Sequence, residues 1–164
     1  MKKVFFAGVL IALFVVALNM GIALAADPDL KVTELLVTDT GATGIKIFIT
    51  DVTRNVGDAE ASESITRYFL RPRSSGPSCE NTTDMGYSGK VVFGKRLVPE
   101  LAAGEANMGT NYVQIPKKAV LLGKGWPVPG CYYLIVEADA FKYVPEANEK
   151  NNKRKSLIYI NDLE

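Results

Sequence analysis

The sequence predicts an all-β sandwich of about seven antiparallel strands, led by a secretory signal. Three observations predict it. Short β-branched and apolar runs recur along the chain, turn-forming residues separate them, and no long segment has helical period.

The chain opens "MKKVFFAGVLIALFVVALNMGIALAADPDL". Lys2 and Lys3 precede an apolar stretch over residues 4–18, and "ALA" at 23–25 supplies the small residues that signal peptidase requires. That order reads as a signal peptide over residues 1–25, cleaved after Ala25 or Ala26, which directs the chain to the periplasm or outside the cell. Left uncleaved, residues 4–25 are long enough to span a bilayer as a helix, and only in that case is the membrane a partner.

"DLKVTELLVT" and "GIKIFITDVTRN" are the first two strand candidates, separated by the turn-forming "DTGATG". In the second, Ile45, Ile47 and Ile49 alternate with Lys46, Phe48 and Thr50, as in a strand with one buried face. The alternation breaks before Val52, which predicts a bulge or twist near Asp51. "SITRYFLR" (64–71) and "KVVFGKRLV" (90–98) follow, and then "EANMGTNYVQI" (105–115) after the turn signal "ELAAGE". "CYYLIVEADA" (131–140) is the most apolar run after the signal, with Tyr132, Leu134, Val136 and Ala138 on one face and Glu137 and Asp139 on the other. "KSLIYI" (155–160) closes the set.

Residues 27–164 are close to the usual size of one domain. Two segments exceed a minimal sandwich. Residues 72–89 are polar and turn-rich, and residues 117–130 carry the only tryptophan, Trp126, among glycines and prolines. Both read as long loops, either binding surfaces on a rigid scaffold or covers for sheet edges. Cys79 and Cys131 form an even pair in an exported chain, which predicts a disulfide, with two buried thiols as the alternative.

Losing Lys2 and Lys3 from the 19 basic residues leaves 17 against 18 acidic ones. That balance gives no sign of the basic face that phosphate backbones require, so nucleic acid is not an expected partner.

"ADPDLKVTEL", "VTRNVGDAEA" (52–61), "VPELAAGE" (98–105) and "GCYYLIVEADAFKYVPEANEKNN" (130–152) together resemble the CARDB family, the cell-adhesion-related domain found in bacteria. The last motif, with its Gly, Tyr, Asp, Glu and paired Asn, is the most specific. The resemblance covers nearly all of residues 27–160. It implies an immunoglobulin-like sandwich acting in adhesion or recognition outside the cell. The two long segments and the cysteines depart from the family pattern.

Within that last motif, "YVPEANEKNNKR" (143–154) admits two readings. In one, Asn148, Asn151 and Asn152 bond turn backbone and tolerate left-handed conformations between the last two strands. In the other, Asp139, Glu146, Asn148 and Glu149 supply oxygen ligands to calcium. The EF-hand spacing is absent, and Lys142, Lys150, Lys153 and Arg154 lie close by in sequence, so no cofactor is expected unless it is this calcium.

The chain has no histidine, the commonest general base, and its loop serines have no GxSxG setting. No phosphate-binding glycine motif occurs either, so no enzyme activity is expected. Trp126, with Tyr132 and Tyr133, is the candidate for stacking on a sugar ring, or alternatively a plug over the core. The expected function is an exported, non-catalytic recognition or adhesion module that binds protein or glycan at the cell envelope. A structural assembly subunit using strand-edge pairing is the alternative.

Overall fold

The computed structural model describes residues 26–80 and 83–163, so the signal-peptide reading of residues 1–25 lies outside the described residues. Eight strands and one short helix form in the order β1 (Leu30–Val37), β2 (Thr40–Ala42), β3 (Lys46–Asn55), β4 (Ser64–Ser75), β5 (Val91–Val98), β6 (Ala106–Gln114), α1 (Lys118–Leu122), β7 (Gly130–Glu137) and β8 (Lys153–Asn161). They make a three-stranded sheet, β1-β3-β6, and a five-stranded sheet, β2-β8-β7-β4-β5.

The inner faces meet in one core. Leu30 and Val32 of β1 and Ile47 and Ile49 of β3 pack with Tyr68 and Leu70 of β4, Leu134 and Val136 of β7, and Ile158 and Ile160 of β8. Burying each such side chain contributes roughly 1.5–3 kcal/mol. Tyr132, Leu134, Val136 and Ala138 are all fully buried, so the predicted face of the most apolar strand is the core face.

Three local expectations are corrected. The "DTGATG" segment contains β2, which pairs in parallel with β8 from Thr40 to Ala42, so it is an eighth strand and the sheet is not wholly antiparallel. The expected bulge near Asp51 is on the facing strand instead, between Val32 and Glu34 of β1. That extra residue reverses the side-chain parity of β1: Leu30 and Val32 face the core before it, and Leu35 and Val37 pack on the core after it. In β3 the in-out alternation continues unbroken through Asp51, Thr53 and Asn55, all fully buried, and only the chemistry of the inner residues changes.

The long segments are also more ordered than loops. β4 runs on to Ser75, into the segment read as a loop over 72–89. Residues 117–130 contain α1, and Leu121 and Trp126 drop from this segment into the core. This segment therefore covers one end of the sandwich. Cys79 and Cys131 are joined by a disulfide, with Cα atoms 5.1 Å apart. It pins the chain after β4 to the start of β7.

Candidate recognition surfaces

The polar residues inside β3 organise a closed network. Arg96 of β5 sends its guanidinium across the interior, with Nη2 2.6 Å from Asp51 Oδ2 and Nε 3.0 Å from both carboxylate oxygens. The same guanidinium donates to the Asn107 side chain and carbonyl of β6. Tyr68 of β4 donates its hydroxyl to Asp51 Oδ1 at 2.7 Å and accepts from Asn111 Nδ2. Burial, and then the neighbouring Asp51 carboxylate, push the Tyr68 hydroxyl above its ordinary range. Sequence reading missed this cluster, whose signal was the polar 51, 53, 55 continuation of an inward apolar row. Asp51 and Tyr68 are wholly buried and Arg96 is nearly so. The cluster ties β3 and β6 of one sheet to β4 and β5 of the other.

The outer face of the three-stranded sheet is different in kind. The β3–β6 register sets Phe48 opposite Tyr112, Thr50 opposite Thr110 and Val52 opposite Met108, while Leu36 of β1 lies beside Thr50. Phe48 and Tyr112 stack with ring centroids 4.5 Å apart, and Lys46 Nζ lies 5.2 Å from the Tyr112 centroid. Yet Leu36 is 72 % exposed, Met108 70 %, Phe48 61 % and Tyr112 58 %. Scattered apolar side chains on a surface are ordinary, but contiguous ones on one sheet face mark a contact surface.

The residues proposed for sugar stacking divide. Trp126 is 4 % exposed and Tyr132 is fully buried, with the Tyr132 hydroxyl donating to the Pro127 carbonyl. Neither ring is presented to a ligand; both belong to the core, tilted against each other with centroids 6.3 Å apart. Tyr133, the next residue of β7, points the other way and remains on the outer face of the five-stranded sheet.

The four calcium candidates are each engaged locally. Asp139 is buried at φ 38°, and its two carboxylate oxygens accept the backbone N–H groups of Tyr143 and Val144, which holds that left-handed position. Asn148 Oδ1 accepts from Lys150 N–H, and Glu149 pairs with Lys142 at 3.3 Å. Glu146 accepts from Leu30 N–H and from Asn152 Nδ2, tying the 138–152 turn to β1. Burial pushes the Glu146 carboxyl up to about 7 against these bonds, with Asp139 and Glu149 adding to the rise. Among the described residues no three acidic, cysteine or histidine side chains gather as a metal site. The backbone and side-chain bonds of Asp139, Glu146 and Asn148 brace this turn.

The CARDB family model matches residues 27–156.

The chain belongs to the CARDB family.

Solved structures share its fold. The CARDB domain of a Pyrococcus furiosus protein, in complex with di-metal ions, superposes with a TM-score of 0.54 at 19 % identity, covering 85 % of this chain and 97 % of that one. A domain of a candidate cell-surface protein of Methanosarcina acetivorans gives 0.51 at 18 % identity over 82 % and 92 % of the two chains. β-Glucosidase 3B of Thermotoga neapolitana reaches 0.51 at 14 % identity, but this CARDB chain spans only 16 % of its length. Comparison with curated proteins gives no match.

Within the CARDB frame, "VTRNVGDAEA" has a clear structural job. Asn55 accepts from the Asp29 and Gly57 N–H groups and donates to the carbonyls of Ala59, Leu101 and Ala102, so one buried amide knits three segments. At the same end of β1, the Glu146 carboxyl group accepts from the Leu30 N–H and from the Asn152 amide.

Proposed function

We propose that this CARDB protein is an exported, non-catalytic recognition module of the cell envelope that docks a partner protein on the outer face of its three-stranded sheet. The observation that carries this is the uncovered apolar row of Leu36, Phe48, Met108 and Tyr112. Such a row costs solubility unless something covers it, and aromatic residues with methionine are the types enriched in contact surfaces. The Thr50 and Thr110 hydroxyls, 2.8 Å apart within the row, provide the polar contacts that fix orientation.

Two further observations support export and a surface location. The Cys79–Cys131 disulfide fits an oxidising compartment. A fold relative is itself a candidate cell-surface protein. The absence of histidine and the closed setting of Asp51 support a role without catalysis.

Binding of labelled mature protein to envelope preparations tests the reading. Saturable binding is expected for the wild type and for alanine variants in residues 76–89 or 117–125. A Phe48→Ser, Tyr112→Ser variant should lose it and fail to compete. Equal binding by that variant would place the contact elsewhere. Concentration-dependent oligomers of the pure protein would instead favour assembly through strand edges such as β1 and β6.

A further inference from the structure

The opposite side of the molecule carries a second, chemically distinct face. On the outer face of the five-stranded sheet, Arg67, Arg71 and Arg73 project from β4, Lys153 and Lys155 from β8, and Lys90 stands beside β5. The acids among them are Glu137, which lies 2.8 Å from Lys90 and 3.2 Å from Lys153, and Asp84, 2.8 Å from Arg71. Arg67 and Lys155 have no carboxylate within ion-pair distance among the described residues. A near-neutral chain has therefore concentrated positive charge on one face, which the net charge conceals.

Aromatic rings are interleaved with these cations. Tyr133 has the Arg71 guanidinium 4.9 Å, the Arg73 guanidinium 5.8 Å and Lys155 Nζ 4.7 Å from its centroid. Arg67 lies 4.8 Å from the ring of Phe141, which stacks on Tyr143 at 5.4 Å, and both of those rings are exposed. A cation held against a ring face keeps its N–H donors available to a ligand. A shallow depression lined by Arg71, Ile135, Lys153, Arg154 and Lys155 lies in the middle of this face.

We infer that this face binds a linear anionic polysaccharide, its carboxylates or phosphates pairing with the Arg and Lys rows and its sugar rings lying against Tyr133, Phe141 and Tyr143. Charge complementarity selects an anion. The cations follow strands, where alternate residues recur about every 6.8 Å, so they suit a repeating charge along an extended polymer rather than one isolated group. The exposed stacked rings select a sugar face over a peptide. The face is separate from the apolar row of the three-stranded sheet, so this inference goes beyond the protein-docking reading and does not depend on it.

Affinity electrophoresis in gels containing polygalacturonate tests it, with dextran, polyglutamate and double-stranded DNA as comparison polymers. Retardation by polygalacturonate is expected at low salt, weakening steeply as salt rises, with none by dextran. An Arg67→Gln, Lys155→Gln variant should bind about tenfold more weakly. The Phe48→Ser, Tyr112→Ser variant should bind polygalacturonate as the wild type does, which separates this result from the fate of the docking reading. No retardation by polygalacturonate would overturn the inference. Equal retardation by polyglutamate or DNA would also overturn it, showing anion exchange without sugar recognition, as would unchanged binding by the Gln variant.

Discussion

Arg96 of β5 and Asp51 of β3 form the ion pair that joins the two sheets, with both side chains almost wholly buried. The pair is satisfied by Tyr68 and Asn107 as well as by itself. Removing one partner leaves the other charged and unpaired in the interior. Arg96→Met should therefore cost about 3–5 kcal/mol in urea unfolding, whereas Asp51→Leu combined with Arg96→Met should recover much of the loss. A single variant as stable as the wild type would show that the pair is not holding the sheets.

A second route to the same interaction leaves both charges in place. Gly109 of β6 lies under the Arg96 side chain, and a Cβ built there would come within 2.7 Å of Arg96 Cδ. Gly109→Ala should push the guanidinium off its partners and cost about 1–3 kcal/mol. The urea midpoint measures it. The same substitution in an Arg96→Ala background should cost much less, since the Cδ and guanidinium that it displaces are gone.

Glu146 gives the protein a specific pH response. Its carboxyl is raised to about 7 in the folded chain, chiefly by burial, above the ordinary value of 4.5. A raised carboxyl favours folding while protonated, so that stability is fully present below about 4.5 and is lost as pH rises to about 7. After discounting for solvent screening of this half-buried group, the loss is about 1–2 kcal/mol. Glu146→Gln should flatten the thermal midpoint over that window, because the amide never ionises. An unchanged slope would assign the response to other groups.

Calcium tests the turn differently. Asp139, Asn148 and Glu149 are each occupied by backbone or lysine partners. The thermal midpoint of the mature chain in oxidising buffer should therefore be the same in millimolar calcium and in chelator. A calcium-dependent rise would show a site that binds the folded state preferentially and would move these residues from bracing to ligation.

The disulfide closes a loop with a sequence separation of 52. Cys79→Ser, Cys131→Ser should lower stability by about 2–4 kcal/mol in the chain-entropy picture. Proteolysis should then cut first within residues 76–90, the stretch that the disulfide holds against β7.

Much of this was legible in sequence because burial follows period two in strands. The inward row Tyr132, Leu134, Val136, Ala138 could be read directly, and the cysteine pair was implied by export. What escaped reading depended on partners distant in sequence. The bulge in β1 is visible as a parity change between Val32 and Leu35, whereas the apparent break at Val52 in β3 reflects polar residues on the inner face. Asp51 reads as the site of a bulge or twist until Arg96, 45 positions away, is known to meet it. Trp126, among glycines and prolines, reads either as a sugar-stacking ring or as a plug over the core, and the fold shows it buried. Neither recognition face could be read in advance. The apolar row needs the β3–β6 register to set Phe48 beside Tyr112, and the basic face needs three strands aligned before its charges add.

The most direct measurement of the proposed recognition role is photo-crosslinking in producing cells, with a benzophenone amino acid replacing Phe48 and, separately, the exposed Lys124. The docking reading predicts an adduct with a different protein from position 48 and none from position 124. Adducts from position 124 alone, or only self-adducts from position 48, would contradict it.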